Sequence, residues 1–487
     1  MNPLALNKLA LLLAVLPLAS TIADTDKQPP PSAPRRVAFA IPKKSKLDNG
    51  LSVLVIERPG LPLVSATFLV KSGAEADEQK LAGLAEMTAS LLSKGTETKT
   101  APEIARELES LGAGIEAGAK WDSSYLRLNV LSTQFPKALE IVADLVRHPT
   151  FKNEEIQRLR SQVLDDMRVS LEEPGTVARY AAAKVIFGDQ PYGHSASGTP
   201  ESIERMGREA IVKLHATYYR PSNAILVLSG NITLEQGVEL ASKNFGDWRD
   251  PAEPLPEVKQ NAAVPQSRRV VAIDMAGSGQ AAVMMGKTGI NRVSKDYFPG
   301  EVANGVLGGG YSSRLNEEIR VKRGLTYGAG SMLDARRLTG EFVASAQTKN
   351  QSAAEVASLM VAELTKLAER PVDKEELTTR KAALVGEFAR HFETNEGIAS
   401  KVAQFELYGL SVDSANSYID SVEAVTSGEV QSFAKKYMQA DQSSIIIAGE
   451  VKAFREPLLK AFKNVEFISK DELDLNEASL KRTPGTK

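Results

Sequence analysis

Hydrophobic and polar positions alternate along SSYLRLNVL (123–131), the period of a strand with one solvated face. In KLDNGLSVLVIERP (46–59) a turn signal, Asp48-Asn49-Gly50, precedes an apolar run rich in β-branched residues, which predicts a hairpin. SATFLVKSG (65–73) predicts a further strand. The period then changes. In LAGLAEMTASLLSKGT (81–96), Leu81, Leu84, Ala85, Leu91 and Leu92 share one face at helical spacing. Glu86, Ala89 and Ser90 fall off that face and are expected to point out of the core, toward solvent or a cleft. TAPEIARELESLGAGI (100–115) begins a helix with Thr100 as N-cap and Glu103 at the third position. NEEIQRLRSQVLDDMRVSLEEP (153–174) predicts another, capped by Asn153 and ended before Pro174. Strands grouped with long helices predict an α+β fold, helices packed on a mostly antiparallel sheet.

The pattern occurs twice. LHATYYRPSNAILVLSGNIT (214–233) and FAKKYMQADQSSIIIAGEVK (433–452) each run from a helix ending in Tyr through a polar turn and an apolar strand to a Gly exit. Tyr218 corresponds to Tyr437 and Gly230 to Gly449 at one offset. Two homologous domains of about 210–220 residues are implied, at 37–247 and 267–470. The Pro-rich, charged stretch 248–266 is expected to link them, and 471–487 to form a C-terminal tail. At the N-terminus, Lys8, the apolar run LALLLAVLPLA (9–19) and small residues at Thr21 and Ala23 predict a signal peptide over 1–23. An uncleaved anchor is the competing reading, against which the shortness of the run argues. A Pro-rich leader occupies 24–36. No later stretch is long and apolar enough to cross a bilayer, so no membrane span is expected in the mature chain.

Composition narrows the chemistry. A chain of 487 residues exceeds one ordinary core. With 43% hydrophobic and 25% charged residues it has the balance of soluble globular proteins. A formal net charge of −2 argues against a nucleic-acid partner. The sequence contains no cysteine, hence no disulfide, thiol nucleophile or thiolate metal ligand. This agrees with an exported, periplasmic location. The histidines are His148, His194, His215 and His391, none of them on the 81–96 helix.

In the second half, GVLGGGYSSRLNEEIRVKRGLTYGAG (305–330) places Gly308, Gly309 and Gly310 before a helix expected over 312–323, with Gly324 just past its end and a strand from Leu325. A phosphate-cradling loop is weakly supported, because no G-K-[ST] follows.

These stretches together resemble the pitrilysin/insulinase family of zinc metallopeptidases, the inverted zincins, over nearly all of residues 40–465. LDNGLSVLV, PYGHSASGTPESI and YYRPSNAILVLSGNI contribute to the likeness. The family carries H-x-x-E-H on the helix that corresponds to 81–96; the two His bind zinc and the Glu activates water. Anchored on Gly83 and Gly95-Thr96, the resemblance puts Glu86 at the first His, Ala89 at the Glu and Ser90 at the second His. Asp166 corresponds to the third ligand, a Glu on a later helix. Ser90 is a poor zinc ligand and Ala89 cannot act as a base, so no metal is expected on this chain. Arg320 and Tyr327 match, in type and spacing, a family pair that holds substrate and stabilises the oxyanion. A solvated helix Arg and a packing Tyr are the competing reading of these two residues.

The resemblance implies a half-clamshell of two homologous domains. It also implies a non-catalytic subunit of a heterodimeric peptidase, inactive alone. A zinc-bearing homologous subunit would be its partner and hold the zinc, with peptides as substrates. An inactive scaffold or binding protein of the same fold is the alternative. A self-sufficient metallopeptidase using Glu86, Asp166 and a distant His is disfavoured, because nothing replaces the base at Ala89.

Overall fold

The computed structural model describes residues 39–258, 267–411 and 413–482. The expected signal peptide and leader, and the second part of the expected linker, lie outside them. The first half contains β1 (Lys43–Lys46), β2 (Ser52–Glu57), β3 (Leu63–Val70), α1 (Leu84–Leu91), α2 (Ala101–Ser110), β4 (Gly114–Ala119), β5 (Ser124–Leu131), α3 (Phe135–Arg147), α4 (Asn153–Ser170), α5 (Pro174–Phe187), α6 (Pro200–Arg205), α7 (Arg208–Tyr218), β6 (Ala224–Gly230) and α8 (Leu234–Phe245). The second contains β7 (Val270–Asp274), β8 (Ala281–Thr288), α9 (Tyr297–Leu307), β9 (Ala329–Asp334), β10 (Glu341–Thr348), α10 (Ala353–Glu369), α11 (Lys374–Arg390), α12 (Asn395–Leu407), α13 (Ser414–Ala424), α14 (Ser427–Tyr437), β11 (Ser444–Gly449), α15 (Arg455–Ala461) and β12 (Val465–Ser469).

Two six-stranded sheets result, ordered β1-β2-β6-β3-β5-β4 and β12-β7-β11-β8-β10-β9. Both are mixed and mostly antiparallel; β2 runs parallel to β6, and β7 runs parallel to β11 and β12. Five strands correspond in order between the sheets, β2-β6-β3-β5-β4 with β7-β11-β8-β10-β9. The outer edge differs: β1 comes from the N-terminal hairpin and β12 from the C-terminus.

Central strands are buried on both faces, so their sequences are continuous apolar runs. Every residue of AILVLSG in β6 and of SIIIAG in β11 is buried. β5 lies nearer an edge and keeps the alternation expected of it. One face of the first sheet packs on α1, α3, α7 and α8, and one face of the second on α9, α10 and α14.

The other faces are covered by exchange. α5, from the first half, lays Val177, Ala178, Ala181 and Val185 on Val271, Ile273, Ala282, Ile446 and Ala448 of the second sheet. α12, from the second half, lays Ile398, Ala399, Val402 and Ala403 on Leu54, Ile56, Leu69, Ile225 and Val227 of the first. Neither half is therefore complete within its expected boundaries. Nor is the expected tail separate: Leu473 and fully buried Leu480 join the α5 layer. Asn153 is the first residue of α4 rather than its cap.

The two halves also meet at their corresponding hairpin turns. Asp122, between β4 and β5, is buried and accepts from three donors. These are the Tyr192 hydroxyl (2.6 Å), the Tyr408 hydroxyl (2.9 Å) and the Arg337 amide (2.8 Å). Arg337, between β9 and β10, bridges to Glu75 at 3.2 Å and donates to the carbonyls of Lys71 and Asp122. Neighbouring Arg336 is buried over the rings of Trp121 (4.5 Å) and Tyr192 (4.9 Å), and its charge is met by Asp334 and Glu341 at 2.7 Å. Truncating one member of a buried charged network strands the rest. Asp122→Ala is expected to lower the unfolding free energy by about 3 kcal/mol in urea denaturation; a loss below about 1 kcal/mol would show that the junction is dispensable.

Candidate functional site

The degenerate motif lies on α1. Gly83 precedes it in the left-handed region (φ 89), and a Cβ there would lie 2.7 Å from the Ser197 carbonyl oxygen. Buried Asp77 receives the first free amides, from Gly83 at 2.9 Å and Ala85 at 3.0 Å. Burial pushes its pKa well up, against the pull of those amides.

Glu86 and Ser90 are brought together, but on each other. Ser90 donates to Glu86 Oε1 at 3.1 Å, and the Ala119 amide of β4 donates to Oε2 at 2.6 Å. Ala89 does not face a cleft as its position off the apolar face led us to expect. It is fully buried, as are Met87 and Thr88, because α1 is enclosed by β4, β5, α4 and α7. Asp166 is exposed on α4, where its carbonyl accepts from the Ser170 hydroxyl at 2.8 Å. These residues do not fit a zinc ion. One carboxylate is already shared between a backbone amide and a hydroxyl, one position is a neutral hydroxyl, one is a buried methyl, and the last points to solvent. Among the described residues no group of three or more His, Asp or Glu is placed to hold a metal.

The Arg320/Tyr327 segment is built differently. The chain winds as a π-helical turn over Asn316–Val321, where the Lys322 amide reaches back to the Glu317 carbonyl at 3.0 Å. The expected regular helix is thus widened around Arg320. Gly324 stands at φ 64, past the helix end as expected. The strand starts at Ala329 rather than 325, since 325–328 form a tethered loop. Thr326 Oγ1 donates to the Gln347 carbonyl (2.6 Å), and Thr348 Oγ1 donates to the Leu325 carbonyl (2.6 Å). Buried Asn316 ties the ends together, accepting from the Ala329 amide at 3.3 Å and donating to the Tyr311 carbonyl. On this frame Tyr327 stands 90% exposed. Arg320 lies with its guanidinium 4.5 Å from the ring centre of Tyr311.

Gly308 serves close packing: a Cβ there would lie 2.2 Å from the Ser331 amide of β9. Gly309 abuts the backbone of α9, whereas Gly310 has open space. The loop is a helix exit fitted against a strand, with no geometry directed at a phosphate.

Tyr327 borders a recess of about 410 Å³ that Met284, Gln347 and, from the exchanged helix α5, Gly175 and Arg179 also line. A larger cleft of about 670 Å³ lies where the halves meet, walled by Lys120, Trp121, Tyr125, Asp334, Lys401 and Tyr408. Burial and hydrogen bonding to Glu116 push Tyr125 up to about 12. Buried His194 is pushed down by desolvation beside Trp121. The sequence reading missed this junction, whose only signals were Trp121-Asp122 and Arg336-Arg337 at two corresponding turns.

Comparison with known proteins agrees with this architecture. Residues 52–199 match the family model described as insulinase (peptidase family M16), and residues 205–384 the one described as peptidase M16 inactive domain. An uncharacterized zinc protease of Streptomyces coelicolor is 24% identical over 416 residues, covering 84% of this chain and 90% of the relative. One of Rickettsia bellii is 27% identical over 338 residues, covering 68% and 79%. Among solved structures, a peptidase M16 inactive domain from Pseudomonas fluorescens aligns at a TM-score of 0.78 and 25% identity, over 84% of this chain and 98% of that one. A protease from Helicobacter pylori shares the fold at a TM-score of 0.79 and 21% identity, over 84% and 99%. Two mixed sheets with helices, and family matches in both halves, define a peptidase-type α+β fold. The chain belongs to the pitrilysin/insulinase (M16) family.

If Glu86 is a structural acceptor, Glu86→Ala should cost about 1 kcal/mol of stability, the penalty for leaving half-buried donors unmet. Zinc content, read by atomic emission, should not change. Loss of bound zinc with unaltered stability would make Glu86 a ligand instead.

Proposed function

We propose that this chain is the non-catalytic subunit of an exported zinc peptidase. In this reading it pairs with a homologous subunit that carries H-x-x-E-H and the zinc. The observation that carries the reading is the contrast between the two motifs. The α1 positions that would bind metal and activate water are closed, whereas Tyr327 is held out into solvent on a tethered loop, and Arg320 lies over the Tyr311 ring on the turn before it.

The chemistry follows from those groups. Arg320 is a permanently charged donor and the Tyr327 hydroxyl a neutral one. Aimed at a peptide carbonyl on the partner's site, they would hold the substrate backbone and stabilise the charge that develops on its oxygen. A phenol exposed in the isolated chain gains value only in a place that excludes water, which a second subunit supplies. The apolar segment 9–19 supports export to the periplasm.

The test is reconstitution with an H-x-x-E-H-bearing homologue and an unfolded peptide substrate. The chain alone should carry no stoichiometric zinc and hydrolyse nothing, and the pair should be active. Arg320→Ala or Tyr327→Phe should lower kcat about 10²-fold, as for loss of an oxyanion donor, with pairing by sedimentation unchanged. Unchanged turnover in both variants would favour a scaffold. Zinc-dependent hydrolysis by the isolated chain would overturn the reading.

A further inference from the structure

The spacing that carries β4 onto β9 carries Leu92 and Gly95, at the end of α1, onto Leu307 and Gly310 at the end of α9. It places Glu301 at the position of Glu86 and Asn304 at that of Ala89. Superposing the start of α4 on that of α11, a separate spacing, sets buried Met167 against buried Phe388 and Asp166 against Glu387. The second half therefore has its own counterpart of the degenerate zinc site, and its state is the opposite. Where α1 is enclosed, α9 borders a cavity of about 320 Å³.

Charges of both signs line that cavity. Glu301 from α9 and Glu387 from α11 face Arg292, ahead of α9, and Lys401 from α12. Their heads do not close on one another: among the described residues none of the four forms an ion pair within 4.0 Å. Arg292 instead places its guanidinium carbon 3.7 Å from the centre of the Tyr297 ring, and Lys401 donates to Gln404 at 3.3 Å. Asn304 is already bonded to Ser331 at 2.7 Å. The remaining wall mixes apolar and aromatic side chains, Leu384, Phe405 and Phe388 stacked on Tyr418 at 3.8 Å, with the polar groups of Ser331 and His391. Two cations exclude a bare metal ion, and two carboxylates exclude a simple anion. The complement of such a cavity is a small molecule with both charges and an apolar body.

We propose that this cavity binds a free α-amino acid with an apolar or aromatic side chain, its ammonium held by Glu301 and Glu387 and its carboxylate by Arg292 and Lys401. The inference concerns the isolated chain and does not depend on a partner subunit. Burial holds Glu301 up to about 7, with Arg292 and Lys401 pulling it down and Glu387 adding to the rise. An arriving ammonium would favour its ionised form. Tyr297, Tyr418 and His391 complete the titratable groups around the cavity.

The test is calorimetric titration of the purified chain at pH 8 with L-phenylalanine and L-leucine, beside N-acetyl-L-phenylalanine and L-phenylalaninamide. At least one free amino acid should bind, and each blocked form of phenylalanine should bind at least about tenfold more weakly than phenylalanine itself, the cost of one lost charge-assisted contact. Glu301→Gln and Arg292→Met should each weaken binding by a similar factor, with the fold checked by circular dichroism. If a variant fails to fold, the blocked analogues on the unaltered chain decide. No binding of either amino acid up to about 10 mM, or equal binding of the blocked forms, overturns the proposal.

Discussion

Each sheet of this protein buries its second face against a helix borrowed from the other half. A two-sided sheet cannot leave Ile225, Val227, Ile446 or Ala448 in water, and the helices that cover them, α12 and α5, lie across the repeat boundary. Fully burying each large aliphatic side chain is worth about 1.5–3 kcal/mol. The exchanged layers therefore make the halves one folding unit. The same constraint fixes the sites. α5 brings Gly175 and Arg179 to the edge of the Tyr327 recess, and α12 brings Lys401 and Tyr408 to the cleft and Lys401 to the charged cavity.

The turns at Asp122 and Arg337 add direction to what apolar burial leaves unspecific. Greasy faces tolerate sliding; a carboxylate with three donors does not. Tyr192 follows α5 and Tyr408 follows α12, and both hydroxyls end on the Asp122 carboxylate. The ends of the two exchanged helices are thus pinned to one atom group. Arg336, sandwiched among rings, fills the space between the turns with a charge that Asp334 and Glu341 neutralise.

Much of this was legible in the sequence because it is local. The β-branched runs of β6 and β11, the alternation of β5, the left-handed glycine at 324 and the order shared by the two halves all follow from short-range pattern. The exchange was not legible, since an amphipathic helix states that it buries a face without stating against which sheet. The burial of Ala89 escaped for a related reason: a methyl off the apolar stripe of α1 is silent about the neighbours that enclose it. The packing of Leu480 depends on partners distant in the chain, the α5 layer.

The repeat also shows how two copies of one scaffold diverge under one packing rule. At the α1 position a glutamate accepts a strand amide and a hydroxyl from its own helix, and the small residue at Ala89 lets neighbouring elements close over the helix. At the α9 position, among the described residues, no strand amide donates to the corresponding glutamate, whose polar neighbour is Tyr297 of its own helix. Asn304 takes the bond to β9 instead, so Glu301 is left facing a cavity between helices. Closing that cavity by sliding α12 inward would disturb its contact with the first sheet. The exchanged helix therefore supports the open site of the second half while it completes the core of the first. An interior that must satisfy two sheets with one helix is constrained to leave space where their demands conflict.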